Sequence, residues 1–438
     1  MRPDINMLAT IRRINMKRHT TATFSFLLAL ILLIGIGSAQ PAIAAEATGE
    51  QITLRMMGWL ENGQDGMRAV ADLFEAAHSN VKIEIELLDT TQYLSVYMAR
   101  MASGECADVM SVKMRLPDLI NYDAGGYVAD LSDLSSRSNF KDGADLASQY
   151  NGIIQALPVM GDVWGVWYNN DILKDLGLSF PKTRGEFVAA CQAAKDAGIL
   201  PIANGLQDGW TTWMSVWTLW GKAGENDPTF FDRAQAGEVS FASNADLKWG
   251  LDIMKEYYDA GFYLKDLVGT PQQSAEQMFF NGEALFLPTG SWFLNDVKAA
   301  NPSFEYRFGL QPYNDEVQDG LVSEGGYSFS LAAYAKSPHV ETAKDFINFF
   351  FQPENYIAYC DATAGATGSV LKNIDVGDNP AEQDIYNNMT AYVMDLYPGG
   401  VCEEALFSGV QAMIAGLKTS EQVLIDMDEA MQRSLNKK

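Results

Sequence analysis

The sequence predicts an α/β protein built as two halves, each an open, mostly parallel sheet flanked by helices. Three observations predict it. Residues 51–112 read strand, helix, strand, helix, strand. A second alternation of strands and helices begins at Val163. No Gly/Pro-rich or low-complexity linker separates the two. A strand that returns through a helix re-enters its sheet in the same direction, so this order favours parallel pairing.

Each element has a local reason. Residues 51–59 are a largely apolar run closing on Gly58 and Trp59, the pattern of a buried strand. In 65–78 the apolar positions Met67, Val70, Leu73, Phe74 and Ala77 recur at helical spacing. Val81–Leu88 alternates with period two, a strand. Residues 92–103 read as helix and 108–112 as a short strand. In the second half, 163–168 is a strand, and Thr183 with Glu186 has the spacing of a capping box opening a helix that Gly198 ends. Strands follow at 200–203, 283–288 and 327–333, and helices at 246–259, 340–351 and 419–435. Without an ordinary linker, the chain is expected to cross between its halves more than once.

Composition narrows the function. The 438 residues, 47% hydrophobic and 20% charged, suffice for one large core or two ordinary ones. With 37 Gly and 15 Pro, a collagen-like or disordered chain is excluded. The 56 acidic and 31 basic residues give a net charge of −25, which argues against nucleic acid or an anionic membrane as partner. Three histidines and no CxxC pair make a metal site or a Ser-His-Asp triad unpromising, so no metal or cofactor is expected. Of the four cysteines, Cys191 reads as a buried thiol on a helix, while Cys360 and Cys402 share the C-terminal region, where a disulfide is open to them.

Residues 1–44 read as a secretory signal peptide. Met16-Lys17-Arg18-His19 is basic, 24–36 is apolar, and Ala42-Ile43-Ala44 is a cleavage site, placed after Ala44. The apolar run of about 13 residues is short of the roughly 20 that a spanning helix needs. Residues 1–15 read as superfluous, with Met16 as start. No Cys lies near the cleavage site to take a lipid. The mature chain, 45–438, is expected free in the periplasm.

Several segments carry a resemblance. They are Ser103-Gly104-Glu105-Cys106-Ala107-Asp108-Val109, Gly125-Gly126-Tyr127-Val128-Ala129-Asp130-Leu131, Trp167-Tyr168-Asn169-Asn170-Asp171-Ile172-Leu173, Pro181-Lys182-Thr183-Arg184-Gly185-Glu186-Phe187, and Met278-Phe279-Phe280-Asn281-Gly282-Glu283-Ala284 followed by Gly290-Ser291-Trp292. In this order the mature chain resembles the extracellular solute-binding proteins of sugar-importing ABC transporters, the maltodextrin-binding-like, family 1 type. It departs from their pattern at Cys106, Ala107 and Arg184. The resemblance implies a type II-like periplasmic-binding-protein fold with the ligand cleft between two closing lobes. Lobe 1 is expected from 45–160 plus about 327–352, and lobe 2 from 161–326 plus about 353–438. The crossings are carried over to 160–163, 324–329 and 351–360. It implies a monomeric, non-catalytic receptor that delivers a sugar or oligosaccharide to the membrane permease of an ABC importer.

A sugar offers hydroxyls, which Asp, Glu, Asn and Gln bind, and C–H faces, which stack on aromatic rings. Trp59 ends the first strand, with Glu61 after it. Asp108 sits in the Ala107-Asp108-Val109 turn, where it either bonds a hydroxyl or caps the adjacent helix. Arg115 follows the third strand and can fork onto a ligand oxygen. Asp162 lies at the first crossing, and Glu324 and Gly325 at the second, where glycine permits a positive φ or a close backbone approach. Trp210, Trp213, Trp217 and Trp220 share a helical face. Trp217 and Trp220 read as core. Trp210, with Gln207 and Asp208 just before it, reads as ligand-facing. Trp292 matches the family's stacking tryptophan, and Tyr168-Asn169 reads as structural. Two other readings stay open. Asp162, Asp208 and Glu324 beside Trp59, Trp210 and Trp292 also suit a polyamine or amino-acid derivative. A secreted glycoside hydrolase needs two carboxylates about 5 to 10 Å apart.

Overall fold

The computed structural model describes residues 50–59, 63–88, 90–141, 143–317, 321–363, 368–375, 378–389, 393–394 and 396–436. The signal-peptide region and Glu61 lie outside them. The chain runs β1 (Ile52–Trp59), α1 (Gln64–Ala77), β2 (Val81–Leu88), α2 (Thr90–Ser103), β3 (Val109–Val112), α3 (Leu116–Gly125), β4 (Gln149–Tyr150), β5 (Ile153–Ile154) and β6 (Leu157–Asn169). It continues through α4 (Asn170–Asp175), α5 (Arg184–Asp196), β7 (Leu200–Ile202), α6 (Thr212–Asn226), α7 (Phe230–Gln235), α8 (Ala245–Asp259), α9 (Gln272–Phe280), β8 (Ala284–Gly290), α10 (Leu294–Ala300) and β9 (Tyr306–Gly309). Last come β10 (Ser323–Ala333), α11 (Val340–Phe350), α12 (Pro353–Asp361), α13 (Pro380–Met389), β11 (Val393–Met394), α14 (Gly400–Ile414) and α15 (Ser420–Leu435).

The main sheet has the order β2-β1-β3-β10-β6-β8-β7, with β9 on β6 and β11 on β10. It is mixed, where a mostly parallel sheet is expected from the sequence. β1 pairs in parallel with β2 and β3, and β7 with β8. β10 is antiparallel to both β3 and β6, and β6 to β8 and β9. The reason is the two long strands β6 and β10. They carry the chain across between the halves in opposite directions, so they pair antiparallel with each other, while the short β11 joins the start of β10 in parallel.

Apolar side chains gather into separate cores. The first collects Leu54, Phe74, Tyr97, Met110, Leu157, Phe329, Leu331 and Phe350. The second collects Val166, Phe187, Trp217, Trp220, Leu251, Phe286 and Leu424. A third covers the other face of the second half's strands through Trp167, Phe279, Leu287, Phe293 and Ile385. On β6, Val166 and Tyr168 point to one core and Trp167 to the other, as period-two alternation requires. Two of the large rings have their polar handles satisfied: Trp220 Nε1 donates to Leu247 O, and Trp167 Nε1 to Gly290 O, each at 3.0 Å.

The boundary expected near 352/353 moves. α12 packs on the first core, where Tyr356, Tyr359 and Cys360 are buried, and Tyr356 Oη donates to Val159 O at 2.6 Å. Val370 and Leu371 join the same core, whereas Ala381 and Ile385 belong to the third. The third crossing therefore lies between Leu371 and Ala381, later than 351–360. All four cysteines are free and buried. Cys360 and Cys402 sit in different cores, so they do not pair.

Caps explain the family-like segments. Asn169 Oδ1 accepts from Asp171 N and Ile172 N, both at 3.1 Å, and opens α4. Thr183 Oγ1 accepts from Glu186 N at 3.1 Å, but Glu186 returns to Lys182 N rather than to the cap residue. The box expected there is half built. α15 has a complete one, between Thr419 and Gln422.

Candidate functional site

The crossing strand β6 supplies the floor of the site. Its burial alternates, leaving Met160, Asp162 and Trp164 half-buried on one face between fully buried neighbours. Asp162 pairs with Gly326 of β10, and Gly325 with Val163. Gly326 has φ 141°, a conformation that L side chains avoid, and its position meets no obstructing atom. Backbone shape, not space, demands glycine there.

Trp292 is held at the rim by the same strand. Val163 N donates to Ser291 Oγ at 3.2 Å, and Trp164 sits opposite Gly290. The turn after β8 is thus pinned to β6, and Trp292 remains 36% exposed. Its ring meets Trp164 edge-on at 4.7 Å, Trp164 meets Trp217 edge-on at 4.5 Å, and Trp217 stacks on Trp213 at 4.0 Å. Four tryptophans therefore run in contact from the rim into the second core. Trp217 Nε1 is buried without a hydrogen-bond acceptor among the described residues, and the Trp164 ring at its edge is its aromatic neighbour.

Charged groups face Asp162. Burial pushes its carboxyl up to about 6, against the pull of Lys113 and Arg115. Burial likewise pushes the Lys113 ammonium down to about 8, helped by Arg115 and opposed by Asp162, Asp118 and Glu403. Glu403 is raised by burial and held back chiefly by Arg115, with Trp213 and Tyr397 as hydrogen-bonding neighbours. The Arg115 guanidinium lies 3.5 Å from the centroid of the Tyr397 ring. Arg115 precedes α3 in the first half, and Tyr397 packs in the second core. The halves touch through this stack.

The other expected residues divide. Trp210 is 45% exposed in a short turn ahead of α6. Gln207 and Asp208 are exposed beside it, and Asp208 Oδ2 accepts from Gln272 N at 2.9 Å, capping α9. Asp108 is 1% exposed. Its oxygens accept from Arg55 N at 2.7 Å and from Ser337 Oγ at 2.5 Å. It holds the backbone of the first half and is withdrawn as a ligand contact. Trp59 ends β1 opposite Leu88, and Glu324 lies on β10 opposite Met394. Their side chains, like Glu61 as a whole, lie outside the described residues. The sequence reading missed Trp164, Tyr397 and Glu403. Only Trp164 had a signal, its i, i+2 spacing from Asp162. Among the described residues no group of three His, Cys, Asp or Glu side chains is placed to hold a metal, and no helix is long and apolar enough to cross a membrane.

The sequence and the fold match known proteins. The chain is 23% identical to the multiple sugar-binding protein of Streptococcus mutans over 310 residues, 70% of this chain and 72% of that one. It is 23% identical to the melibiose/raffinose/stachyose-binding protein MelE of Bacillus subtilis over 372 residues, 81% and 82% of the two chains. Among solved structures, a chitin oligosaccharide binding protein superposes with a TM-score of 0.76 at 21% identity, covering 88% of this chain and 99% of that one. The solute-binding protein RafE in complex with raffinose gives 0.74 at 17%, covering 86% and 98%. Residues 59–357, well over half of the chain, match the model of one family. The chain belongs to the bacterial extracellular solute-binding proteins.

Proposed function

We propose that this protein is a non-catalytic receptor that binds a sugar or oligosaccharide between its two halves and delivers it to the permease of an ABC importer. The observation that carries the reading is the rim tryptophan Trp292, packed on Trp164, which shares one half-buried face of β6 with Asp162. A ring beside a carboxylate suits a pyranose, whose C–H face stacks while its hydroxyls donate. Glu403, Lys113 and Arg115 supply further acceptors and donors. The sequence reading adds Trp59, Glu61, Glu324 and Gly325 to the set. The sugar-binding names of the relatives support the same class.

The mechanism follows from the connections. Ligand touching both halves stabilises the closed arrangement by its difference in affinity for the closed and open forms. Arg115 stacked on Tyr397 joins the two halves directly. The permease reads the closed shape from outside the cytoplasm. A thermal-shift screen of residues 45–438 against oligosaccharides, polyols, polyamines and amino acids tests the reading. A ligand that binds only the folded state at about 100 times its Kd stabilises by about 2.7 kcal/mol. A melting shift with one saccharide class is expected. A shift with amino acids or linear polyamines alone would overturn the sugar, and sugar cleavage on incubation would overturn the non-catalytic role.

A further inference from the structure

The two halves meet at the middle of β10. This strand pairs antiparallel with β3 over Ser330–Ala333 and parallel with β11 over Ser323–Glu324. Between the two pairings lies 325–329, with Gly326 at φ 141° and register shifts against β6 at Tyr327/Phe329 and Phe329/Ser330. Such irregularities break the ladder and bend a strand locally, which makes this stretch the natural pivot. β3 and β11 run in opposite senses along β10, so the chain leaves both of them toward the pivot. Arg115 follows β3 and Tyr397 follows β11, and the guanidinium lies 3.5 Å from the ring centroid.

Each partner is fixed in its own half. Arg115 O accepts from Asp118 N at 2.9 Å and from Leu119 N at 3.1 Å, opening α3. Tyr397 is buried in the second core, and its O accepts from Gln235 Nε2 at 2.8 Å. The stack therefore depends on how the halves sit. Its side follows from β6, where Trp164, Val166 and Tyr168 meet the second core and Val163 and Trp167 the third. Asp162 keeps the phase of Trp164. Tyr397 thus lies on the face of the crossing strands that carries Asp162 and Trp164, the face of the proposed site.

We infer that the Arg115–Tyr397 stack is a strut beside the pivot that favours the closed arrangement of the halves, with or without ligand. Opening the halves on the site face carries the guanidinium off the ring. A contact made in one arrangement and lost in the other shifts their ratio by its own free energy, about five-fold for one cation–π pair. This rests on the receptor reading with two closing halves, and adds what sets their resting balance.

The test is a spin-label distance measurement on residues 45–438 without any sugar. Labels go on Ile120→Cys in α3 and Val401→Cys in α14, exposed positions on the helices that follow Arg115 and Tyr397. The four native thiols are buried and stay unlabelled in the folded chain. Tyr397→Leu is expected to raise the ratio of longer to shorter separations about five-fold, and Tyr397→Phe, which keeps the ring, to match the parent. Arg115→Gln leaves the second core intact, so it should give the same shift and decides the matter if Tyr397→Leu fails to fold. An unchanged distance distribution in Arg115→Gln, or a shift in Tyr397→Phe as large as in Tyr397→Leu, overturns the inference. Because no sugar enters the measurement, that result leaves the sugar reading standing, and the thermal-shift screen decides that reading separately.

Discussion

At the scale of single residues, two side chains separate binding from stability. Trp292 is partly exposed and rests on Trp164, so removing its ring exposes little core. Trp292→Ala is expected to weaken sugar binding by about ten-fold or more, with a melting temperature within a few degrees of wild type. Titration calorimetry and a melting curve check the two halves of that statement. Asp162 makes the opposite kind of prediction. Its carboxyl is raised to about 6 in the folded chain, so between its unfolded value and pH 6 the folded state binds the extra proton. Stability contributed by that proton is present at low pH and is lost as pH rises through 6. Asp162→Asn removes the charge, so its stability relative to wild type should grow between pH 4 and pH 7. The gain is on the order of 1–2 kcal/mol, reduced because the side chain keeps some solvent contact. Urea melts at both pH values measure it. An unchanged difference would place the proton elsewhere.

At the scale of elements, close approach and capping decide. Gly221 lies in α6 where a Cβ would stand 2.1 Å from Val322 O, just ahead of β10. Alanine favours helix by about 1 kcal/mol over glycine in isolation. Here the backbone contact overrides it, and Gly221→Ala is expected to lower the melting temperature, as scanning calorimetry would show. Thr419 donates no ligand contact but completes the α15 capping box. Thr419→Ala should cost about 1 kcal/mol with sugar affinity unchanged. Elements with strong local periodicity were legible: Val81–Leu88 is a strand over the range its alternation predicts. β6 was legible only from 163 onward, although it begins at Leu157. Its first residues include Pro158 and Gly161, which weaken a strand signal until β10 pairs with them. α12 was read as a crossing, although Pro353 at its first turn and Tyr356 and Tyr359 at helical spacing mark a packed helix.

At the scale of the molecule, the two-half architecture was legible because both halves repeat the same alternation. The pairing directions were not, since β6 and β10 join across more than 150 residues and no local pattern states their sense. The same distance hid half the site. Arg115 meets Tyr397, and Asp162 shares its charged surroundings with Glu403, only after the third crossing brings α14 back. The residues that sequence reasoning singles out, such as Asp162, Trp210 and Trp292, are ones placed by a neighbouring strand or turn, and their contact with ligand is part of the proposal. The central claim is that a sugar binds between the halves against the tryptophan rim. Titration calorimetry of residues 45–438 and of Trp292→Ala with the saccharide that gives the largest melting shift tests it most directly. The account predicts saturable binding of one ligand per chain in wild type and a loss of about ten-fold or more in the variant at unchanged fold. Equal affinity in the two proteins, or no heat with any saccharide, would contradict it.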